Sequence, residues 1–345
     1  MQLAVQEADR IAARAHQLAR HAVYLQDEVW ASSGAPREPH EQQLSAATQH
    51  LRSLSDAMLG QSEQLFVDYV EWAQTSLTAR HVAPETLTSQ LTLLQRVLND
   101  ELPEAAQAAE TFLAAALARL AEGPAEVVSH VTEGSLAARF LERLLAYDRS
   151  GALSLVNAAL DGGVSVREVY LEVIQRVQHE IGRLWQLNHL SIAHEHYCTA
   201  VSQLVLAQLY PRLMHASGGE PMVATCVADE LHELGARMVA DFFEMDGWDT
   251  TYVGANAPAQ DLLHVLRSRK AGLLAVSATM GCHVHAALAL IRQVRDARDL
   301  RHVKILVGGR PFVVAGALWK RIGADACARD AEQAVREGRA LLGLD

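Results

Sequence analysis

The chain has 345 residues, a formal net charge of −11 and a composition that is half hydrophobic and about one-fifth charged. This mixture is typical of a globular protein with two or three domains. Its acidic balance and its lack of a basic block argue against binding to nucleic acid or to an anionic membrane. No apolar run approaches the roughly 20 residues that span a bilayer, and the N-terminus lacks a signal-peptide pattern. We therefore expect a cytoplasmic protein.

Cysteine spacing argues against a zinc site or a disulfide framework, because no two of the four cysteines form a C-x-x-C pair. Histidine, in contrast, is abundant, with 16 residues. We expect some of these imidazoles to act as ligands or to titrate.

The first two parts of the chain have helical periodicity. Residues 1–125 predict an all-α domain with breaks at 32–39, at 81–84 and near Pro103. Residues 126–216 predict a four-helix bundle, divided by Ser150-Gly151 and by 161–163. Ser165 and Glu168 have the spacing of a capping box, which predicts the start of the third bundle helix.

The last part, residues 217–345, alternates short apolar runs with helical stretches. The runs predict strands at 222–227, 250–254, 273–278 and 303–309. Such alternation predicts a doubly wound parallel sheet with a Rossmann-like fold. Ligands of these sheets bind at the carboxyl ends of the strands, so the chemistry is expected there.

Three strand ends carry the residues that suggest a ligand. They are Glu230, His232 and Gly235 after the first strand, Ser277 and Thr279 after the third, and Gly308 and Gly309 after the fourth. Glycine lets a backbone approach closely, and a loop histidine can rise to meet a ligand. An ordinary flavodoxin-like domain explains a lone histidine here but not the two later motifs.

The order of these motifs resembles the cobalamin-binding domain that takes its cofactor base-off, with the pattern D-x-H-x-x-G, S-x-L or S-x-T, and G-G. The resemblance implies that His232 is the lower axial ligand of cobalt and that Ser277 contacts the nucleotide tail, with Thr279 beside it. Glu230 stands where many members have aspartate and would orient the imidazole. The three glycines would line the channel for the tail.

The bundle contains Trp185 and, after nine intervening residues, Glu195-His196. This W-x(9)-E-H spacing resembles the helical cap of light-sensing cobalamin-dependent repressors. The resemblance implies that Trp185 and Glu195 cover the upper face of adenosylcobalamin. Gln186 departs from the pattern, because the repressors have a histidine there that captures cobalt after photolysis. The alternative is that Trp185 is a core residue and that Glu195-His196 lies on a solvated face.

Residues 65–82 resemble the leading domain of the photocobilins, which pair cobalamin with biliverdin. The resemblance makes Tyr69, Trp72, Arg80 and His81 candidate bilin contacts, with Tyr24 on a second wall beside His16, Arg20, His21 and Trp30. No cysteine precedes Cys198, so we expect any biliverdin to be held non-covalently. The plainer alternative is that the aromatic residues fill the core.

Together these resemblances favour a photoreceptor rather than an enzyme. Light would release the adenosyl group, change the packing of the bundle on the sheet domain and signal through a homo-oligomer or a downstream signalling protein. A corrinoid carrier for methyl transfer is the alternative from another class. A cobalamin-responsive regulator without photochemistry is a third possibility.

Overall fold

The computed structural model describes residues 2–33, 39–213 and 218–344. Its N-terminal unit is helical, as predicted, and its helices are α1 (Gln2–Ser33), α2 (His40–Gly60), α3 (Glu63–Ala79), α4 (Glu85–Glu101) and α5 (Pro103–Ala121). The predicted break at 32–39 falls mostly on residues outside the described part. The sequence missed the break between α2 and α3, where Gln61 adopts a left-handed φ of 46°.

The bundle consists of α6 (Leu136–Leu145), α7 (Arg149–Asp161), a third helical stretch and α10 (Ile192–Leu209). The third stretch is continuous: α8 (Val166–Glu168), a π-helical segment (Val169–Gln175) and α9 (Arg176–Gln186). Its predicted capping box of Ser165 and Glu168 is confirmed.

The predicted break at Ser150-Gly151 is wrong. The side chain of Asp148 caps α7 by accepting a hydrogen bond from the Gly151 amide at 2.8 Å, so Ser150 and Gly151 lie in the first helical turn. The break itself falls at residues 146–148. An N-cap aspartate just before a serine and a glycine outweighs the turn preference of those two residues.

The C-terminal part is a parallel sheet with strands in the order β2-β1-β3-β4-β5. The strands are β1 (Pro221–Cys226), β2 (Asp249–Gly254), β3 (Leu273–Ser277), β4 (Lys304–Gly308) and β5 (Ala326–Ala328). The helices are α11 (Leu234–Met245), α12 (Ala259–Arg269), α13 (Val284–Asp296), α14 (Arg310–Val314), α15 (Leu318–Arg321) and α16 (Ala331–Leu342). The predicted doubly wound fold is confirmed, but β5 was missed because three residues are too short for a periodic pattern.

Each face of the sheet belongs to a different apolar core. Side chains alternate along β1, so that Val223 joins a cluster with α12, α13 and the N-terminal helices, whereas Met222 and Ala224 join a cluster with α11, α16 and the bundle. Both helical units are therefore anchored on the sheet. The domain boundaries at 125/126 and 216/217 remain predictions, and residues 214–217 lie outside the described part.

Within the described residues, no helix combines the length and the apolar character that a bilayer crossing requires.

A buried carboxylate on α2 joins the N-terminal unit to α13. Asp56, only 1% exposed, accepts hydrogen bonds from the backbone amides of Val284 and His285 at 3.1 Å each and also contacts Nδ1 of His285. It thus caps the first turn of a helix in another part of the chain. Burial alone would lower the pKa of His285, but the hydrogen bond to Asp56 and the charges of Asp56 and Asp9 raise it.

We expect Asp56→Asn to lower the free energy of unfolding by about 2–4 kcal/mol at pH 6, because it removes half of a buried charged pair. The folded pKa of His285 is raised, so this contribution is complete below its unfolded pKa and is lost as pH rises through the folded pKa. The difference between parent and variant in urea denaturation should accordingly narrow at alkaline pH. Asp9→Asn, at a half-exposed partner of the same imidazole, should cost far less.

Candidate functional site

The sequence motifs meet at one edge of the sheet. The strand register aligns Cys226 of β1 with Ser277 of β3, Ser277 with Gly308 of β4, and Gly308 with Ala328 of β5. The loops that follow these residues therefore start from a single row. As expected for a parallel sheet, this row lies at the carboxyl ends of the strands.

Glu230 is the centre of the loop cluster and is fully buried. One carboxylate oxygen accepts from the backbone amide of His232 at 3.0 Å and contacts its Nδ1 at 2.6 Å. The other accepts from the amides of Thr279 at 2.6 Å and Met280 at 3.2 Å, and contacts Nδ1 of His283 at 2.9 Å. Burial alone would raise the pKa of this carboxyl, but these hydrogen bonds hold it well below its usual range.

His232 is held from one side and open on the other. Its Nδ1 faces Glu230, while 60% of its side chain is exposed. A carboxylate on Nδ1 fixes the tautomer that leaves Nε2 as an electron-pair donor, the arrangement typical of a metal-ligating imidazole. The bond to Glu230 raises the pKa of His232 against the effect of burial, and the charge of Glu195 acts in the same direction. The cap carboxylate therefore lies within electrostatic range of this imidazole.

The glycines have different roles. A Cβ added to Gly235, in the first turn of α11, would meet no atom within 4 Å, because this exposed residue faces open space. A Cβ on Gly309 would lie 1.9 Å from the carbonyl oxygen of Ala278, and the φ of Gly309 is +113°. Gly309 thus permits the close approach of two loops, whereas Gly235 leaves space. The exposed imidazole and the open space beside Gly235 are compatible with a metal-bearing ligand above these loops.

Thr279 joins the cluster through its backbone amide, which donates to Glu230. Ser277, the last residue of β3, is half-buried in the aligned row.

The bundle contacts the sheet domain next to the His232 loop. Nε2 of Gln203 on α10 donates to Oε1 of Glu233 at 3.4 Å, and the Tyr170 hydroxyl donates to buried Asp241 on α11 at 2.8 Å. Glu195 accepts from the hydroxyl of Thr199 at 2.9 Å. The side chain of His196 is 73% exposed, which agrees with a solvated position for this member of the W-x(9)-E-H motif.

Trp185 lies where the cap meets the N-terminal unit. Its ring stacks on Trp72 with centroids 6.0 Å apart, and Trp72 in turn stacks on Tyr69 at 6.5 Å. The guanidinium of Arg80 lies 5.1 Å from the centroid of Trp185. The structure thus brings three of the bilin candidates together beside the cap tryptophan.

Tyr69 also belongs to a buried polar group inside the N-terminal unit. Its hydroxyl lies 2.7 Å from Nδ1 of His50, and Nε2 of His50 lies 3.2 Å from the side-chain oxygen of Gln90. Burial lowers the pKa of His50 to about 4, against the hydrogen bond to Gln90, so the imidazole is neutral. Nε2–H then donates to Gln90, and Nδ1 accepts the proton of Tyr69.

Two further bilin candidates differ from these three in their exposure. His81 is exposed just after α3, and Tyr24 on α1 is 61% exposed. None of the contacts described above joins either residue to the Tyr69–Trp72–Trp185 stack. The side chain of Trp30 lies outside the described part.

Sequence reasoning missed His283, which shares the Glu230 carboxylate with His232. The hydrogen bond to Cys282 and the contact with Glu230 raise the pKa of His283 to about 10. Its only sequence signal was its position four residues after the end of the S-x-T motif, because the contact joins residues 53 positions apart.

Family comparisons agree with this geometry. Residues 221–338 match the family model described as the B12 binding domain, and residues 136–210 match a second model with the same description. The first match falls on the sheet domain and the second on the bundle, and residues 1–135 lie outside both matches.

The chain is similar to corrinoid proteins. It is 26% identical over 166 residues to the dimethylamine corrinoid protein of Methanosarcina barkeri, a match that spans 48% of this chain and 76% of the relative. Dimethylamine corrinoid protein 3 of Methanosarcina mazei is 25% identical over 166 residues, 48% of this chain and 96% of the relative. The structure of the monomethylamine corrinoid protein of Methanosarcina barkeri superposes with a TM-score of 0.54 at 18% identity, covering 60% of this chain and 98% of that one. This likeness agrees with the fold.

Proposed function

We propose that the chain binds cobalamin with its benzimidazole tail displaced from cobalt and that Nε2 of His232 is the lower axial ligand. The exposed imidazole anchored on buried Glu230 is the observation that supports this most strongly. Glu230 would keep the ring in its ligating tautomer and raise its basicity. The nucleotide tail would extend into the open space beside Gly235, and Ser277, Thr279, Gly308 and Gly309 at the neighbouring strand ends are the proposed further contacts.

The function that we propose for this site is light sensing with adenosylcobalamin. When bound, this cofactor supplies a cobalt–carbon bond that light cleaves. Trp185 belongs to the cap and stacks on Trp72 of the N-terminal unit, and the cap contacts the sheet domain through Gln203 and Tyr170. A ligand group that the indole covers would therefore bias the packing of three parts of the chain, as a ligand-dependent switch requires.

Biliverdin is the second chromophore in this proposal. The N-terminal unit supplies the aromatic surface of Tyr69 and Trp72 and the cation of Arg80, and a linear tetrapyrrole carries apolar rings and two propionates. A bilin at this surface would have to displace the Trp72–Trp185 stack or lie along its edge. We propose non-covalent binding there, and Tyr24 and His81 are weaker candidates because both residues are exposed.

The readout would be a change in self-association or in contact with a downstream signalling protein. Light-dependent loss of the group beneath Trp185 would free the cap to shift on the sheet, which changes the surface that the bundle presents. This step follows from the contacts that the cap makes with both the N-terminal unit and the sheet domain.

A corrinoid carrier for methyl transfer is the second candidate, and the similarity to dimethylamine corrinoid proteins favours it. A carrier must present the upper face of its cofactor to the active site of a partner enzyme. The N-terminal unit instead occupies one side of Trp185 through Trp72 and Arg80. This contact is the reason that we place the sensor first.

The two candidates predict different responses to light. Full-length protein loaded with adenosylcobalamin in the dark should change its absorption spectrum irreversibly under green light and shift its elution volume in size-exclusion chromatography. Trp185→Ala should keep lower-face ligation but lose the preference for the adenosyl form and the elution shift. Trp319→Ala on α15 is the matched control and should respond as the parent does.

The sensor proposal is ruled out if light cleaves the cobalt–carbon bond completely and neither self-association nor partner binding changes. Methyl exchange with a methyltransferase, together with indifference to adenosylcobalamin, would establish the carrier instead. Added biliverdin should introduce a red-shifted band, and Trp72→Ala should weaken that band. An unchanged band in the variant would contradict the bilin placement.

A further inference from the structure

The C-terminal ends of α3 and α9 are fastened to each other across 105 residues of sequence. The guanidinium of Arg80 donates to the backbone carbonyls of Trp185 at 3.3 Å and Gln186 at 3.1 Å. The same guanidinium donates to the carbonyl and hydroxyl oxygens of Ser76, one turn back on its own helix, at 2.9 and 2.7 Å. These bonds within α3 and its end therefore fix the position of the guanidinium independently of α9.

A return contact runs from α9 to α3. Nε2 of Gln186 donates to the backbone carbonyl of Trp72 at 3.2 Å. The Trp72 and Trp185 rings stack with an interplanar angle of 21°, and Arg80 lies over the same Trp185 ring. We call this set of four residues, Trp72, Arg80, Trp185 and Gln186, the α3–α9 clamp.

The clamp supplies hydrogen-bond donors to the C-terminal end of α9. The last carbonyls of a helix have no partner within the helix and carry a partial negative charge, so a guanidinium is the group best suited to bind two of them. Arg80 occupies that position at the end of α9. The indole of Trp185 is thereby held at its backbone by hydrogen bonds and at its ring by a stack and a cation–π contact.

We propose that the α3–α9 clamp positions Trp185, so that the N-terminal helical unit sets how tightly the cap discriminates between upper ligands of the cofactor. Arg80 and Trp72 are positioning residues, since they act on the cofactor only through Trp185. Gln186, the residue that departs from the repressor pattern, belongs to the clamp through its side-chain amide. The clamp itself is defined by contacts within the protein. Only its effect on the upper ligand rests on the proposed cobalamin site.

Hydrogen exchange of the apo, full-length protein tests the clamp directly. The amides of Leu187, Asn188 and His189 bond within the last turn of α9 and report its opening. Arg80→Ala should accelerate their exchange about tenfold, because each charged hydrogen bond that is lost had stabilised this turn. Arg80→Lys keeps the charge but not the planar fork and should restore part of the protection.

Arg321→Ala is the matched control. Arg321, in the sheet domain, donates to the carbonyls of Gly60 and Gln61 at the end of α2, so it also binds a helix C-terminus in another part of the chain. It should accelerate exchange near the end of α2 and leave residues 187–189 unchanged. Equal acceleration of 187–189 in both variants, or none in Arg80→Ala, would overturn the clamp.

The functional step is tested by binding in the dark. Arg80→Ala and Trp72→Ala should lower the ratio of affinities for adenosylcobalamin and hydroxocobalamin about tenfold, as a weakened stacking or hydrogen-bonding contact of roughly 1.4 kcal/mol would. Arg321→Ala should keep the parent ratio. A parental ratio in the two clamp variants would refute the discriminating role. Failure of the parent to bind any cobalamin would refute the proposed function, while the exchange result would still decide the clamp.

Discussion

His232→Ala is expected to weaken cobalamin binding more than about 100-fold and to remove the spectrum of the histidine-ligated form, because it deletes the proposed metal ligand itself. The folded protein should remain stable, since 60% of this side chain is exposed. Equilibrium titration of the apo protein, followed by absorption, measures the loss. Free imidazole added to the His232→Ala variant should occupy the space left by the missing side chain and restore part of the cobalt ligation.

The matched control is His264→Ala, which removes an exposed histidine from α12 of the same domain. It should bind as the parent does. If His232→Ala also binds with parental affinity and spectrum, the lower-ligand assignment is wrong and the loop histidine has another role.

Glu230→Gln should have the second largest effect. A glutamine amide turns one hydrogen-bond acceptor into a donor, and that donor would face other donors: the Thr279 and Met280 amides and Nδ1 of His283, or those of His232. We expect cobalamin affinity to fall about 10- to 100-fold and the free energy of unfolding to drop by about 2–4 kcal/mol.

Glu230→Asp distinguishes the effect of the charge from that of side-chain length, because it keeps a carboxylate on a shorter side chain. Aspartate is also the residue that many members of the resembled cobalamin-binding family have at this position. It should retain most of the affinity. The pKa of Glu230 is lowered in the folded state, so its contribution to stability is present above the unfolded pKa and is lost as pH falls. Glu230→Gln should consequently lose less stability on acidification than the parent. Parental affinity in Glu230→Gln would contradict the orienting role.

Local sequence patterns were sufficient for most of the fold. The alternation of apolar runs and helical stretches predicted four strands, and the spacing of Ser165 and Glu168 predicted a helix start. The three residues of β5, Ala326–Ala328, gave no such pattern, because this strand is defined by its pairing with β4. Asp148 capped its helix where a Ser-Gly pair suggested a break.

The residues of the candidate site also differ in how far the sequence could predict them. His232 and Glu230 could be predicted because their motif is contiguous and follows a strand. The contacts of Asp56 with His285 and of Arg80 with Trp185 could not, because they join residues more than 100 positions apart and no local propensity encodes them. His283 lies between these cases: its loop was identified, but its shared carboxylate depends on the three-dimensional path of two loops.

The shared cores also determine how the N-terminal unit should be studied. One apolar cluster includes its helices together with α12, α13 and one face of the sheet. Deleting residues 1–125 would expose that cluster to water, so loss of function in a truncated chain would not distinguish a chromophore role from lost packing. Point variants of the full chain, such as Trp72→Ala and Arg80→Ala, avoid this ambiguity.

The identity of the lower cobalt ligand is tested most directly by electron paramagnetic resonance of the cobalt(II) form bound to full-length protein that carries ¹⁵N-labelled histidine. Nitrogen hyperfine splitting on the cobalt lines reports the axial donor. With His232 bound, the triplet from ¹⁴N should become a doublet from ¹⁵N, and His232→Ala should lose it. A triplet that persists in the labelled protein would mean that the cofactor keeps its own benzimidazole, which would contradict the account.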